Sequence, residues 1–196
     1  MKLRNGLACV ARQNKKKSYA CAIEKQAIFE TGVNQADYLN IDETGARHKG
    51  NNHYLHVVCN KLFGAFFIRQ TKGSDTIRHF FGLNDEEQID TPIISDDAGQ
   101  YISVSSHHAL CWIHEIRHYK KMNPFLNQHK SVLDAFLTEL WKFYELLAQY
   151  KENPNKIMRL HIQERFDSIF SAVTGYRTLD ERIATTKKKK EELLLV

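Results

Sequence analysis

The sequence predicts an α/β protein in which a strand-rich middle leads into an all-helical C-terminal half. Between about residues 36 and 105, short apolar runs alternate with Gly, Asn and Asp turn signals. Beyond residue 106, apolar residues recur at three- and four-residue spacing, the period of an amphipathic helix. No apolar run approaches the roughly 20 residues that cross a bilayer, so no membrane partner is expected.

The elements follow in order. Ala20 to Phe29 reads as a short helix with Ile23, Ala27 and Ile28 as its apolar positions, behind a basic start at Arg12 and Lys15-Lys16-Lys17. Tyr38-Leu39-Asn40-Ile41 reads as a short strand ending on Asp42, with Thr44-Gly45 and Lys49-Gly50-Asn51-Asn52 as turn signals. His53 to Cys59 and Gly64 to Thr71, separated by a short polar step, predict a hairpin. Ser74 is placed to cap a helix from Asp75 to Phe81, closed by Gly82. Pro92 to Ser95 reads as a buried strand stopping at Asp96-Asp97.

The helical half begins with Leu110 to Lys121. Ser131 to Tyr150 follows, with Leu133, Phe136, Leu137, Leu140, Trp141, Tyr144 and Leu147 in one wide stripe. After the Asn153-Pro154 break, Ile157 to Val173 turns Ile162, Phe166, Ile169, Phe170 and Val173 inward, with Gly175 past its end. Asp180 to Val196 reads as a last helix. Its uncapped apolar end, Leu193 to Val196, suggests a chain that stops early.

Lys and Arg exceed Asp and Glu by 28 − 23 = 5, which is compatible with a polyanionic partner. The four scattered cysteines, Cys9, Cys21, Cys59 and Cys111, read as reduced thiols rather than a disulfide framework. With no apolar stretch behind Met1 to Asn5 there is no visible signal peptide, and the expected location is the cytoplasm. No GxGxxG motif, P-loop or cysteine-nucleophile motif is present.

Three constellations can carry chemistry. Asp42 and Asp96 each follow a predicted strand; on neighbouring strands their carboxylates would share a divalent cation such as Mg²⁺ and serve phosphodiester chemistry. On spacing alone, two turn aspartates are the commoner reading. Thr44 to Gly50 places Arg47, His48 and Lys49 in a glycine-bracketed loop suited to a phosphate backbone, or to an ordinary exposed turn. Lys72 precedes a helix N-terminus that could receive a phosphate. On a helix, Cys111, His114 and His118 share one face with His107 one turn earlier. Four ligands along one straight helix cannot close a tetrahedron, so zinc is not expected. Instead Cys111 and Trp112 should pack in the core, while the histidines and Arg117 lie along a polar groove.

Taken together, Tyr38-Leu39-Asn40-Ile41-Asp42-Glu43-Thr44-Gly45-Ala46-Arg47-His48-Lys49-Gly50, Ile94-Ser95-Asp96-Asp97-Ala98, Cys111-Trp112-Ile113-His114-Glu115-Ile116-Arg117 and Gly175-Tyr176-Arg177-Thr178-Leu179-Asp180 resemble, in order, segments of bacterial insertion-sequence transposases of the insertion-sequence sixty-six type. The resemblance spans about residues 20 to 196. It implies an RNase H-like mixed-sheet core with a large helical insertion, and DDE chemistry in which two aspartates and a glutamate hold two Mg²⁺ (or Mn²⁺) ions. It makes Asp42 the first acid and Asp96 the second, with Asp97 as the fallback, and Arg47, His48, Lys49, Lys72 and Arg117 the candidate DNA contacts. The family's glutamate lies in a His-Asn-Asn-x-x-Glu segment that these 196 residues do not contain.

The expected organisation is therefore a helical lead-in over 1–35, core strands and helix over 36–105, and the helical insertion over 106–196, truncated before the final catalytic segment. The expected function is that of a DDE transposase fragment acting on insertion-sequence DNA ends in the cytoplasm or on the nucleoid, inactive alone. The alternative is a non-catalytic fragment that binds DNA or full-length transposase, or self-associates, and inhibits.

Overall fold

The computed structural model describes residues 15–195, with side chains at residue 21 and from residue 23 onward. Cys9, Arg12 and Val196, and the side chains of Lys15 to Lys17, lie outside the described residues. The described chain is α/β, with strands β1 (Leu39–His48), β2 (Asn51–Cys59), β3 (Gly64–Arg69), β4 (Ile93–Ser95) and β5 (His108–Leu110) in the order β3-β2-β1-β4-β5. Its seven helices are α1 (Lys15–Asn34), α2 (Ser74–Phe81), α3 (Trp112–Lys120), α4 (Asn127–Glu152), α5 (Lys156–Ile169), α6 (Arg177–Lys187) and α7 (Lys190–Leu193). Among the described residues no helix is long and apolar enough to cross a membrane. The chain divides into two compact units, 1–93 with 103–106, and 94–102 with 107–196.

The first unit is built on the antiparallel meander β1-β2-β3. β1 is longer than the sequence predicts. It continues through Asp42, Thr44 and Gly45 to His48, and nine consecutive cross-strand pairs run from Asn40↔Cys59 to His48↔Asn51. The turn is confined to Lys49-Gly50, both at positive φ (49° and 80°). That is the two-residue hairpin turn whose twist matches the flanking strands. Ladder pairing on both sides therefore overrides the Thr44-Gly45 turn signal.

The inward face of this unit is aromatic. Phe29 of α1, 2% exposed, meets the rings of Phe63, Phe67 and Phe81 at 5.1–6.2 Å. Ile23 and Ile28, expected to face inward, are instead 57% and 56% exposed. They do not share the Phe29 face, which is the one turned to the rings of Phe63, Phe67 and Phe81. Gly32 lies so close to the Phe63 ring that an added Cβ would fall 2.6 Å from it. α2 is capped by Gly73 without any side-chain cap bond, so Ser74 is not the cap; Gly82 closes it at φ 68°. Arg78, buried, donates to the backbone oxygens of Asn84, Glu87 and Ser103 and so anchors the polar loop after α2.

The second unit is a helical layer around one core. Leu133, Phe136, Leu140 and Phe143 of α4 meet Ile162, Phe166, Ile169 and Phe170 from α5 and its end, with Leu179, Ile183 and Leu193 behind them. Asn155 caps α5 by accepting from the Met158 N–H at 2.8 Å. α5 ends at Ile169, and Val173, expected inward, is 89% exposed beyond it. The predicted last helix is two. α6 starts early, where Asp180 accepts from the Thr174 N–H and hydroxyl at 2.8 and 2.7 Å. It stops within the lysine run, at Lys187. There Lys187 bonds Ser171, Lys189 bonds Asp97 and Lys190 bonds Asp167.

Candidate functional site

In the first unit, Asp42 lies mid-strand on β1, opposite Val57, and not beyond a strand end as expected. Its Oδ1 accepts from the Glu43 N–H at 2.9 Å. Its charge also reaches Cys59, whose thiol is pushed up by burial and then by that carboxylate. The next residue, Glu43, is the cross-strand partner of His56. Its carboxylate lies 3.7 Å from the Lys72 ammonium. Lys72 is therefore engaged by an acid. His56 is fully buried; its Nε2 pairs with the Thr71 carbonyl at 3.1 Å while its Nδ1 has no hydrogen-bond partner. Burial holds its protonation below the ordinary histidine range, against the Thr71 carbonyl and Glu43.

Arg47, His48 and Lys49 come together at the β1–β2 hairpin tip, all exposed. The structure places Arg47 and His48 in the strand, not in a loop. Two residues the sequence reading passed over join them. His53 packs its ring on His48 at 5.7 Å, and Arg69 lines the same cleft of about 590 Å³. Register supplies the signal for His53: with His48 opposite Asn51, His53 stands two positions on along the same sheet face, a diagonal neighbour within reach of a ring. Arg69 is held by the faces of Phe67 and Phe80, a cation–π arrangement that strand alternation alone does not reveal.

In the second unit, Asp96 follows the end of β4 as expected. Its Oδ1 accepts from the Ala98 N–H at 3.1 Å. Ser95 lies beneath it, its hydroxyl 2.7 Å from His108 Nε2 and donating to the Asp96 carbonyl at 2.9 Å. His108 is held below the ordinary histidine range by burial, against the pull of Asp97, Glu192 and Asp96. Asp97 is bound at 2.5 Å by Lys189. Lys189 also stands 3.9 Å from the buried Glu115, which further accepts from Arg182 and the Thr186 hydroxyl.

Asp96, Asp97, Glu115, Arg182 and Lys189 line a cleft of about 420 Å³ together with Cys111, His114, Arg117 and His118. Of the polar groove expected of the histidines and Arg117, the cleft has His114, His118 and Arg117; His107 does not line it. The single helix face expected of four ligands is not present. Cys111 is the N-cap of α3, and His107 precedes β5, a short strand that the helical reading had overrun. The cause is a backbone bond, since the Cys111 N–H donates to the Ser95 carbonyl at 2.7 Å and draws this stretch alongside β4. Cys111 lines the cleft half-buried; Trp112 is the residue that enters the core. Cys59 and Cys111 are free thiols, but Cys21 is disulfide-bonded, correcting the expectation of four reduced cysteines. Separation along the chain does not limit approach in space.

Among the described residues no three His, Cys, Asp or Glu side chains form a metal-holding group. A closed cage of protein ligands is thus not present among them. Two aspartates do suit Mg²⁺, which takes one or two carboxylates and completes its shell with water and phosphate oxygens. Asp42 belongs to the first unit and Asp96 to the second.

Comparison with known proteins places these features in a family. The uncharacterized protein y4jO of Sinorhizobium fredii is 37% identical over 107 residues, covering 55% of this chain and 33% of that protein. The matched stretch thus spans about a third of the relative's length. No solved structure matches. The pattern of the Transposase IS66 family matches residues 24–195, which takes in the Asp42 strand, the Asp96 turn and the α3 cleft. The chain belongs to the Transposase IS66 family.

Proposed function

We propose that this chain supplies an RNase H-like DNA-processing region of an IS66-type transposase, with Asp42 and Asp96 as two of its metal-holding acids. The observation that carries the reading is the contrast between two adjacent carboxylates. Asp97 is neutralised by Lys189, whereas Asp96 has a backbone N–H as its hydrogen-bond donor and no Lys or Arg partner among the described residues. Asp96, rather than Asp97, is therefore the second acid. Asp42 is likewise steadied by a backbone N–H. Bound Mg²⁺ or Mn²⁺ would neutralise the phosphodiester and activate the attacking hydroxyl. The chain's own part is to present the two carboxylates and to position DNA ends through the cations of the hairpin tip.

The family's third acid belongs to a segment not found in these 196 residues, so we expect little or no strand cleavage from them alone. Mg²⁺-dependent nicking of insertion-end DNA that disappears in Asp42→Ala would contradict this. The metal assignment is tested separately. Mn²⁺ should broaden NMR signals around Asp42 and Asp96 in the wild type, and not in Asp42→Asn/Asp96→Asn. Equal broadening in both would overturn the assignment.

A second reading, a non-catalytic fragment that binds DNA or intact transposase, is favoured by the hairpin tip. Arg47, His48 and Lys49 face solvent with no acid partner among the described residues. Salt-dependent DNA binding without metal broadening would select it.

A further inference from the structure

We propose that Arg117, in α3, and Lys121, the residue that closes it, hold a backbone phosphate of nucleic acid in the cleft they share with Asp96 in the second unit. The proposal rests on the reading of Asp96 as a metal-holding acid, and extends it to the residues that would steady the DNA there.

The argument is one of charge left over. Within the cleft, Glu115 is taken by Arg182 and by Lys189, and Asp97 by Lys189. Those four groups, two of each sign, cancel. Three charged groups remain without an ion-pair partner among the described residues, and they are Asp96, Arg117 and Lys121. A lone carboxylate facing two lone cations suits a ligand with both a cationic and an anionic part, such as a metal-bound phosphodiester. The cations are spaced i, i+4, so α3 presents them side by side.

Two further observations bear on the sign of the local field. His118, beside them, is pushed down by burial and then by Arg182, against the pull of Glu115, with Lys189 and Lys121 adding to it. Lys121, which no acid answers among the described residues, is the part of that field an anion would relieve. The helix end works the other way. Arg117 and Lys121 sit at the C-terminal turn, where the backbone dipole is negative. Anion binding here must come from the side chains. Both are exposed, so neither is committed to the core. The cleft, about 420 Å³, falls within the range of small ligand sites (about 300–1,000 Å³), and takes one phosphate with its sugar while the rest of a duplex stays outside it.

The test is a salt titration of duplex binding, read by fluorescence anisotropy, with wild type, Arg117→Gln/Lys121→Gln and Arg117→Lys/Lys121→Arg. Losing the one phosphate that both cations hold should make the log–log salt slope shallower by about 0.9, at roughly 0.9 per phosphate. The charge-preserving pair should keep the wild-type slope. An unchanged slope in the glutamine pair overturns the proposal. If that occurs while Asp96→Asn still abolishes Mn²⁺ broadening, the metal reading stands and this proposal alone falls. A shallower slope without any Mn²⁺ broadening supports the phosphate wall and removes the metal reading. Competition by inorganic phosphate that depends on these two residues, with no change in the duplex slope, would overturn the nucleic-acid assignment.

Discussion

The two units hold their candidate groups in opposite ways. In the first, Asp42, Arg47, His48 and Lys49 are fixed by backbone register, and their side chains face solvent. In the second, Asp96 also has a backbone donor, but the cleft wall around it is held side chain to side chain: Glu115 with Arg182 and Thr186, Tyr119 with Thr186, Lys189 with Asp97. A hairpin tip tolerates exchange of its side chains as long as the ladder forms. A side-chain network does not, because removing one member leaves a buried charge or hydroxyl unanswered. Sensitivity to substitution should therefore concentrate in the second unit.

The largest effect tests that unit's core. Phe166 is fully buried among Trp112, Phe143 and Phe170. Phe166→Ala should cost about 3–5 kcal/mol in urea unfolding. A cost under about 1 kcal/mol would mean that the core is loosely packed, and the contrast would break.

Next comes Glu115→Ala, which strands Arg182. Removing one partner of a buried pair costs about 3 kcal/mol. Replacing Glu115 and Arg182 together by leucine should recover part of that loss, and a double-mutant cycle in urea measures the coupling. Strictly additive losses would show that the network does not act as a unit.

Tyr119→Phe sharpens the comparison through pH. Burial raises the Tyr119 phenol well above its ordinary value of 10.0. The folded phenol thus stays neutral where the unfolded one ionises. Its contribution is complete below about pH 10 and is lost as pH rises through the higher folded value. The variant should lose about 1 kcal/mol at neutral pH, with the loss of the Thr186 hydrogen bond. It should also show a gentler fall in stability above pH 10. Parallel wild-type and variant curves there would refute the shift.

The smallest effect belongs to the hairpin. Lys49 sits at φ 49° in the two-residue turn, where asparagine is preferred. Lys49→Asn should raise stability by a few tenths of a kcal/mol while weakening DNA binding. A destabilisation above about 1 kcal/mol would mean that Lys49 has a structural partner, against the view of a register-held tip.

The sequence made some of this legible and hid the rest for identifiable reasons. The β2–β3 hairpin, the β4 stop before Asp96 and the α4 stripe follow from alternation and helical period, which are local. Leu133, Phe136, Leu140 and Phe143 form a three-four-three spacing, yet Phe143 was passed over for its neighbours Trp141 and Tyr144, which are half-buried at the edge of the stripe. β5 is three residues long and histidine-flanked, too short for periodicity, and exists through its neighbour β4. Burial of Arg78 depends on carbonyls 6 to 25 positions away, which no local pattern encodes. For the site, residue types marked Asp96, Arg117 and the histidines. That Lys189 would claim Asp97 could not be read, since the two are 92 positions apart.

The indole of Trp112 gives the second unit an optical reporter of its own. Its N–H donates to the Leu193 carbonyl at 2.8 Å, so a buried chromophore is tied to the helix that ends the described chain. The chain's other tryptophan, Trp141, is half-buried beneath the Lys120 ammonium at 4.8 Å. In Trp141→Phe, emission would come from Trp112 alone, and a red shift would signal α7 lifting away. Whether DNA or metal loosens that helix can then be followed in a cuvette without any added label.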